Sequence, residues 1–218
     1  MISDRGCWLF DGIYYGSYNE SYPEIMKSLR ILMENLISSK ILLPKALYGN
    51  ISLQYDTVDE LLDQIEASGY LENAFEFAIW GDTIIYTPNG EEVHQDIIRI
   101  ERFRTSGQDF GYVVRTDHWL PMMMDRETMD FTWNLEQYQL NYYRIPALLS
   151  KLNEELGWKN EELLFKEEWY LTVQAGYDFY LEESVIIREY EANPNPAFDL
   201  EAYLAAIKNA REKYTRKR

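Results

Sequence analysis

Phe75-Glu76-Phe77-Ala78-Ile79-Trp80, then Thr83-Ile84-Ile85-Tyr86-Thr87 and Pro88-Asn89-Gly90, is where the chain changes its period. Ahead of Ala74 the apolar residues recur at helical spacing. After it they come in β-branched and aromatic runs, residue types that fit a pleated, half-buried surface. Pro-Asn-Gly is a hairpin turn signal, because asparagine and glycine tolerate the positive φ such turns need. Ile98, Ile100 and Phe103 continue the pattern with Arg99, Arg102 and Arg104 largely solvated, and residues 110–115 follow Ser106-Gly107. The spacing predicts an antiparallel meander of four strands between residues 74 and 116, hence an α+β fold with an antiparallel sheet flanked by α-helices.

Working outward, Ser21-Tyr22-Pro23-Glu24 is a capping box with proline in the first turn, and Ile25, Leu29, Leu32, Met33 and Leu36 follow on one face. A helix to about Ser39 is expected. Before it, residues 6–18 read as an aromatic strand; after it, residues 41–44 and 46–54 read as extended around Tyr48-Gly49-Asn50. Thr57-Val58-Asp59-Glu60 is a second capping box, with Leu61, Leu62 and Ile65 as the apolar face and Gly69 as the C-terminal cap.

Downstream, residues 130–156 read as mostly helical, with Leu135, Tyr138, Tyr142, Ile145, Leu148, Leu149, Leu152 and Leu156 as a buried stripe. Pro146 is expected to break or kink that helix, since its ring displaces a backbone hydrogen bond. Residues 168–174 and 177–182 suit a hairpin about Ala175-Gly176. Asn193-Pro194-Asn195-Pro196 is the clearest linker, and Asp199 then caps a helix striped by Leu200, Tyr203, Leu204 and Ile207. The expected organisation is a single α+β domain over residues 1–192, with a linker and an amphipathic helix carrying a basic tail over 193–218.

Charge bounds the partners. The 218 residues hold 37 acidic and 21 basic side chains, a net −16. The last eleven positions carry six cations against Glu212, a net +5, so the first 207 residues hold −21. A field of that sign repels nucleic acid and anionic membrane and draws cationic partners; the basic tail itself complements a helix C-terminus. Eighteen tyrosines suit half-buried faces and protein contacts. Cys7 is the single cysteine, so an intrachain disulfide is impossible. No apolar run approaches the roughly 20 residues that span a bilayer, and a cytoplasmic protein with neither membrane nor nucleic-acid partner is expected.

No cluster names a reaction. His94 and His118 stand 24 positions apart, and Asp117 is placed to orient His118; histidines in turns or at sheet ends are the commoner outcome. There is no HExxH, serine elbow, P-loop or GxGxxG. Asp125, Glu127 and Asp130 resemble an oxygen-ligand loop but lack the glycine and distal glutamate of a calcium loop. Cys7, between Gly6 and Trp8, reads as a small buried hydrophobe. Paired carboxylates with Trp80, Trp119, Trp133, Trp158 and Trp169 for sugar stacking suit a carbohydrate-acting hydrolase; tryptophans as core anchors are the plainer reading. No catalytic residue, cofactor or metal is assigned.

The carboxylates of the last third are interleaved with aromatics. Glu161, Glu162, Glu167 and Glu168 accompany Trp169 and Tyr177. Such runs are usually solvated surface, but aromatic anchors ringed by carboxylates are also what a binder of a basic protein presents. These six residues are the expected partner surface.

Thr116-Asp117-His118-Trp119-Leu120-Pro121, followed by Asn141, Arg144 and the Leu148, Leu152 and Leu156 stripe, resembles a segment of bacterial toxin-immunity-type proteins over about forty residues. The resemblance implies a small, acidic, enzymatically inert cytoplasmic protein that neutralises a basic toxin or effector domain by occlusion. A hydrolase using paired carboxylates and a non-enzymatic adaptor are the alternatives.

Overall fold

The computed structural model describes residues 5–10, 22–47, 51–70, 76–103, 108–115, 117–125, 127–156, 172–175 and 177–215. Its centre is an antiparallel sheet of order β1-β6-β5-β4-β2-β3. The strands are β1 (Arg5–Phe10), β2 (Leu43–Leu47), β3 (Ile51–Ser52), β4 (Glu76–Thr87), β5 (Gly90–Phe103) and β6 (Gln108–Arg115). The fold is α+β, with the expected meander as the middle of the sheet. The two runs read as separate strands, 75–80 and 83–87, form one strand. Glycine and aspartate between them make a bulge at Gly81/Thr83 rather than a turn. A side chain at Gly81 would collide with the Leu43 carbonyl of the neighbouring strand, so the close approach of β2 requires glycine there. Gly90, at φ 125°, closes the β4–β5 turn.

Helices cover the sheet. α1 (Tyr22–Ser38) lays Leu29, Leu32, Met33 and Leu36 into the core. α2 (Val58–Ala67) starts at Thr57, whose hydroxyl accepts the Glu60 amide at 3.2 Å, while Glu60 accepts the Asp56 amide at 2.8 Å. Gly69, at φ 69°, follows its end as expected.

The expected 130–156 helix is instead a short strand and two helices. β7 (Met122–Met124) and β8 (Phe131–Trp133) pair as a hairpin, then α3 (Leu135–Asn141) and α4 (Arg144–Leu156) follow. The interruption at Tyr142 and Tyr143 has the cause the sequence named: Pro146 would clash with the carbonyl four residues earlier, so it sits in the first turn of a new helix. Tyr142, expected to be buried, is 48% exposed as a result.

β9 (Thr172–Ala175) and β10 (Asp178–Leu181) form the expected hairpin. α5 (Glu183–Ala192) and α6 (Leu200–Thr215) complete the chain. Asp199 caps α6 by accepting the Ala202 amide at 2.9 Å. The expected linker is pinned, since the Trp133 indole donates to the Asn193 carbonyl at 2.8 Å. Phe198, Tyr203 and Ile207 join Leu29, Leu61, Ile79, Leu149 and Ile186 in one buried cluster. Each such leucine or isoleucine contributes about 1.5–3 kcal/mol on burial. No helix among the described residues is long and apolar enough to cross a membrane.

Candidate binding cleft

Two regions hold polar and aromatic groups together, and they differ in how those groups are used. One is the joint between α3 and α4. Asn141 is fully buried, and its amide pairs with both main-chain groups of Tyr86: Oδ1 accepts the Tyr86 N–H at 3.1 Å and Nδ2 donates to its carbonyl at 2.7 Å. Arg144, 7% exposed, donates from Nη1 to the Ile84 carbonyl (2.7 Å) and to Asn141 Oδ1 (2.8 Å). Its Nη2 donates to the Ser39 carbonyl at 3.0 Å. The guanidinium carbon lies 4.2 Å from the centre of the Tyr86 ring and 5.5 Å from that of Trp119. Buried Asn35 adds a link between α1 and α4, donating to Glu155 at 2.6 Å.

Trp119, Asn141 and Arg144 meet at this joint. Asp117–Trp119 is a 3-10 turn, and Trp119 is buried. The two histidines, distant in sequence, meet: the rings of His94 and His118 lie 4.3 Å apart, edge to face, and Gln137 Nε2 is 3.0 Å from His118 Nδ1. The structure brings together what the sequence read as isolated. His94 Nε2 also lies 3.5 Å from Glu92.

The loop carrying Asp125, Glu127 and Asp130 uses its leading carboxylate internally. Asp125 Oδ1 accepts the amides of Glu127 (2.8 Å) and Thr128 (3.1 Å), and these bonds hold its pKa below the ordinary carboxylate value. The carboxylate thus organises the β7–β8 turn. Among the described residues no group of three histidine, cysteine or acidic side chains is placed to hold a metal ion.

The second region is an open cleft of about 390 Å³ between α3, the β9–β10 hairpin and the start of α6. Tyr138, Tyr142, Tyr180, Phe198 and Tyr203 line it, with Pro146, Ala202 and Ala206 as small apolar edges and Asp178 and Asp199 as its carboxylates. The rings form a connected wall: Tyr138–Tyr142 at 5.0 Å, Tyr180–Tyr203 at 5.6 Å and Phe198–Tyr203 at 5.2 Å between centroids. Tyr203 anchors it, its hydroxyl accepting the Leu181 amide at 2.9 Å. Burial raises the Tyr203 pKa well above the ordinary phenol value. Burial raises Tyr138 too, with additions from Tyr142, Tyr180 and the nearby Asp178 charge.

Asp178 is the unusual member. It is half-buried, burial pushes its pKa up, and Lys213 offsets only part of that push through space. Among the described residues its carboxylate makes no hydrogen bond or ion pair, whereas the Asp199 carboxylate is occupied as a helix cap.

Of the expected partner surface, Glu161, Glu162, Glu167, Glu168 and Trp169 lie outside the described residues. Tyr177 is half-buried against the core cluster, one residue before Asp178. Trp119 is a core residue and Trp133 packs on Phe198 at 5.0 Å, so the cleft is walled by tyrosine and phenylalanine rather than tryptophan. Sequence reasoning missed Asp178, Tyr138 and Tyr142 as one group. The available signal was the pair of tyrosines one helical turn apart, Tyr138 and Tyr142, read as core. Comparison with protein-family models, with curated proteins and with solved structures finds no match.

Proposed function

We propose that this protein is a cytoplasmic, non-enzymatic inhibitor of immunity type that neutralises a basic toxin or effector domain by occlusion. The observation that supports it best is the cleft. A tyrosine wall borders a half-buried carboxylate that no counter-ion among the described residues bonds, on a chain of net −16. Carboxylates over the chain, Glu161, Glu162, Glu167 and Glu168 included, steer a cationic partner inward and raise its association rate. Aromatic rings that lose water on contact then slow its departure. Of the two carboxylates that line this cleft, Asp199 caps α6, which leaves Asp178 as the one available to a partner.

The test is capture of a partner from the source cells on immobilised protein at low ionic strength, followed by kinetics on the purified pair. We expect a basic protein whose association slows steeply as salt rises, and slows again on charge reversal at Glu161, Glu162, Glu167 and Glu168. An association rate indifferent to both, or hydrolysis of a glycan by the purified chain, would remove this reading.

A further inference from the structure

We infer that the cleft bounded by Tyr138, Tyr142, Tyr180 and Tyr203 receives one arginine side chain of the protein partner, with the guanidinium at Asp178 and the aliphatic stem along the rings. The inference rests on the reading above and specifies how the partner is held.

Size comes first. Ligand pockets run from about 300 to 1,000 Å³, and this cleft of about 390 Å³ has room for a long side chain. Chemistry comes next. Ring faces attract cations, and a planar guanidinium stacks on them where a strongly hydrated ammonium does not. The protein itself shows the arrangement: Arg144 lies over the Tyr86 ring at 4.2 Å. In the joint that guanidinium is supplied from within; in the cleft the rings and the carboxylate are present, and among the described residues Lys213 acts on Asp178 through space without an ion pair to it. Asp178 then decides the sign of the occupant. A half-buried carboxylate bears a desolvation cost that a neutral occupant would deepen and a guanidinium would offset with a charge-assisted, two-pronged hydrogen bond. Pro146, Ala202 and Ala206 leave an apolar margin for the methylene stem.

The experiment titrates the full chain with N-acetyl-arginine amide, with N-acetyl-lysine amide and with N-acetyl-citrulline amide, the uncharged isostere of arginine. Binding is read by calorimetry and by NMR shifts of backbone amides near Asp178, Tyr180 and Ala202. We expect saturable arginine binding, with citrulline and lysine each weaker by about tenfold or more. Asp178→Asn should weaken arginine about tenfold and leave citrulline unchanged. Tyr142→Ala, at a side chain 48% exposed and therefore safe for the fold, should weaken arginine as well. Citrulline or lysine binding as tightly as arginine, or Asp178→Asn behaving as the parent, would overturn the inference. A deca-arginine peptide separates the two levels. If it binds in a salt-dependent way and both variants bind it like the parent, the arginine pocket is wrong and the basic-partner reading stands. If it does not bind at low salt, both fall.

Discussion

The α3–α4 joint and the tyrosine cleft are built from similar parts and put them to opposite uses. In the joint, a guanidinium sits over the Tyr86 ring and spends its donors on the carbonyls of Ile84 and Ser39 and on Asn141. In the cleft, aromatic rings share the lining with half-buried Asp178, whose carboxylate makes no hydrogen bond or ion pair among the described residues. A satisfied buried polar network specifies a fold; a half-satisfied one is a cost that folding alone does not explain. The difference separates scaffold from candidate site without reference to any relative.

That contrast can be broken most decisively at Arg144. Arg144→Met keeps much of the volume but strands the Ile84 and Ser39 carbonyls and takes one of two donors from the Asn141 amide oxygen. Unfolding by denaturant should show a loss of roughly 3 kcal/mol or more. A loss below about 1 kcal/mol, the worth of a single ordinary hydrogen bond, would mean the joint is no more than surface decoration.

Tyr203 sharpens the comparison from the other side, because it belongs to the cleft yet is used as the joint residues are. Tyr203→Phe leaves the ring wall intact and orphans the buried Leu181 amide, so we expect a cost of about 1–3 kcal/mol in thermal or denaturant unfolding. Partner binding by the folded variant should change little.

Asp178→Asn carries the smallest stability effect and the most informative sign. Burial raises the folded-state pKa of Asp178, so the folded chain holds this proton more tightly than the unfolded chain does. The stability this group contributes is fully present below the ordinary carboxyl pKa and is lost as pH rises through the raised folded value. The asparagine variant should therefore be slightly more stable than the parent at neutral pH, by under about 0.5 kcal/mol for a carboxylate that water still partly screens. The advantage should vanish in acid. Melting curves across that range check it; an advantage that grows on acidification would reverse the argument.

Much of the scaffold was legible in the sequence because its signals are local. Thr57 and Asp199 cap the helices they were expected to cap, Gly69 follows α2 at positive φ, and the break near Pro146 occurs where ring sterics require it. The sheet was legible as a meander, although the Gly81/Thr83 bulge hid one long strand behind what looked like two. β8 was lost for a related reason: three residues at the head of a helical stripe carry too short an alternation to announce a strand. The cleft was not legible, since it joins residues from α3, β10 and α6 that share no spacing. The meeting of His94 and His118 was equally out of reach, because β5 register and the 3-10 turn decide it together.

The pairing of Asn141 with Tyr86 has one more consequence. β2 leaves β4 after Leu43 and Asp82, so among the described residues the remainder of β4 has no strand on that side. Its outward groups are nevertheless taken: the Ile84 amide by the Lys40 carbonyl at 3.1 Å, the Ile84 carbonyl by Arg144, and both Tyr86 groups by the Asn141 amide. Side chains stand in for the missing strand. An open edge there would template the addition of a second chain, the first step toward sheet-to-sheet polymerisation. Asn141 and Arg144 thus act as an edge guard, keeping the sheet from growing onto its own copies.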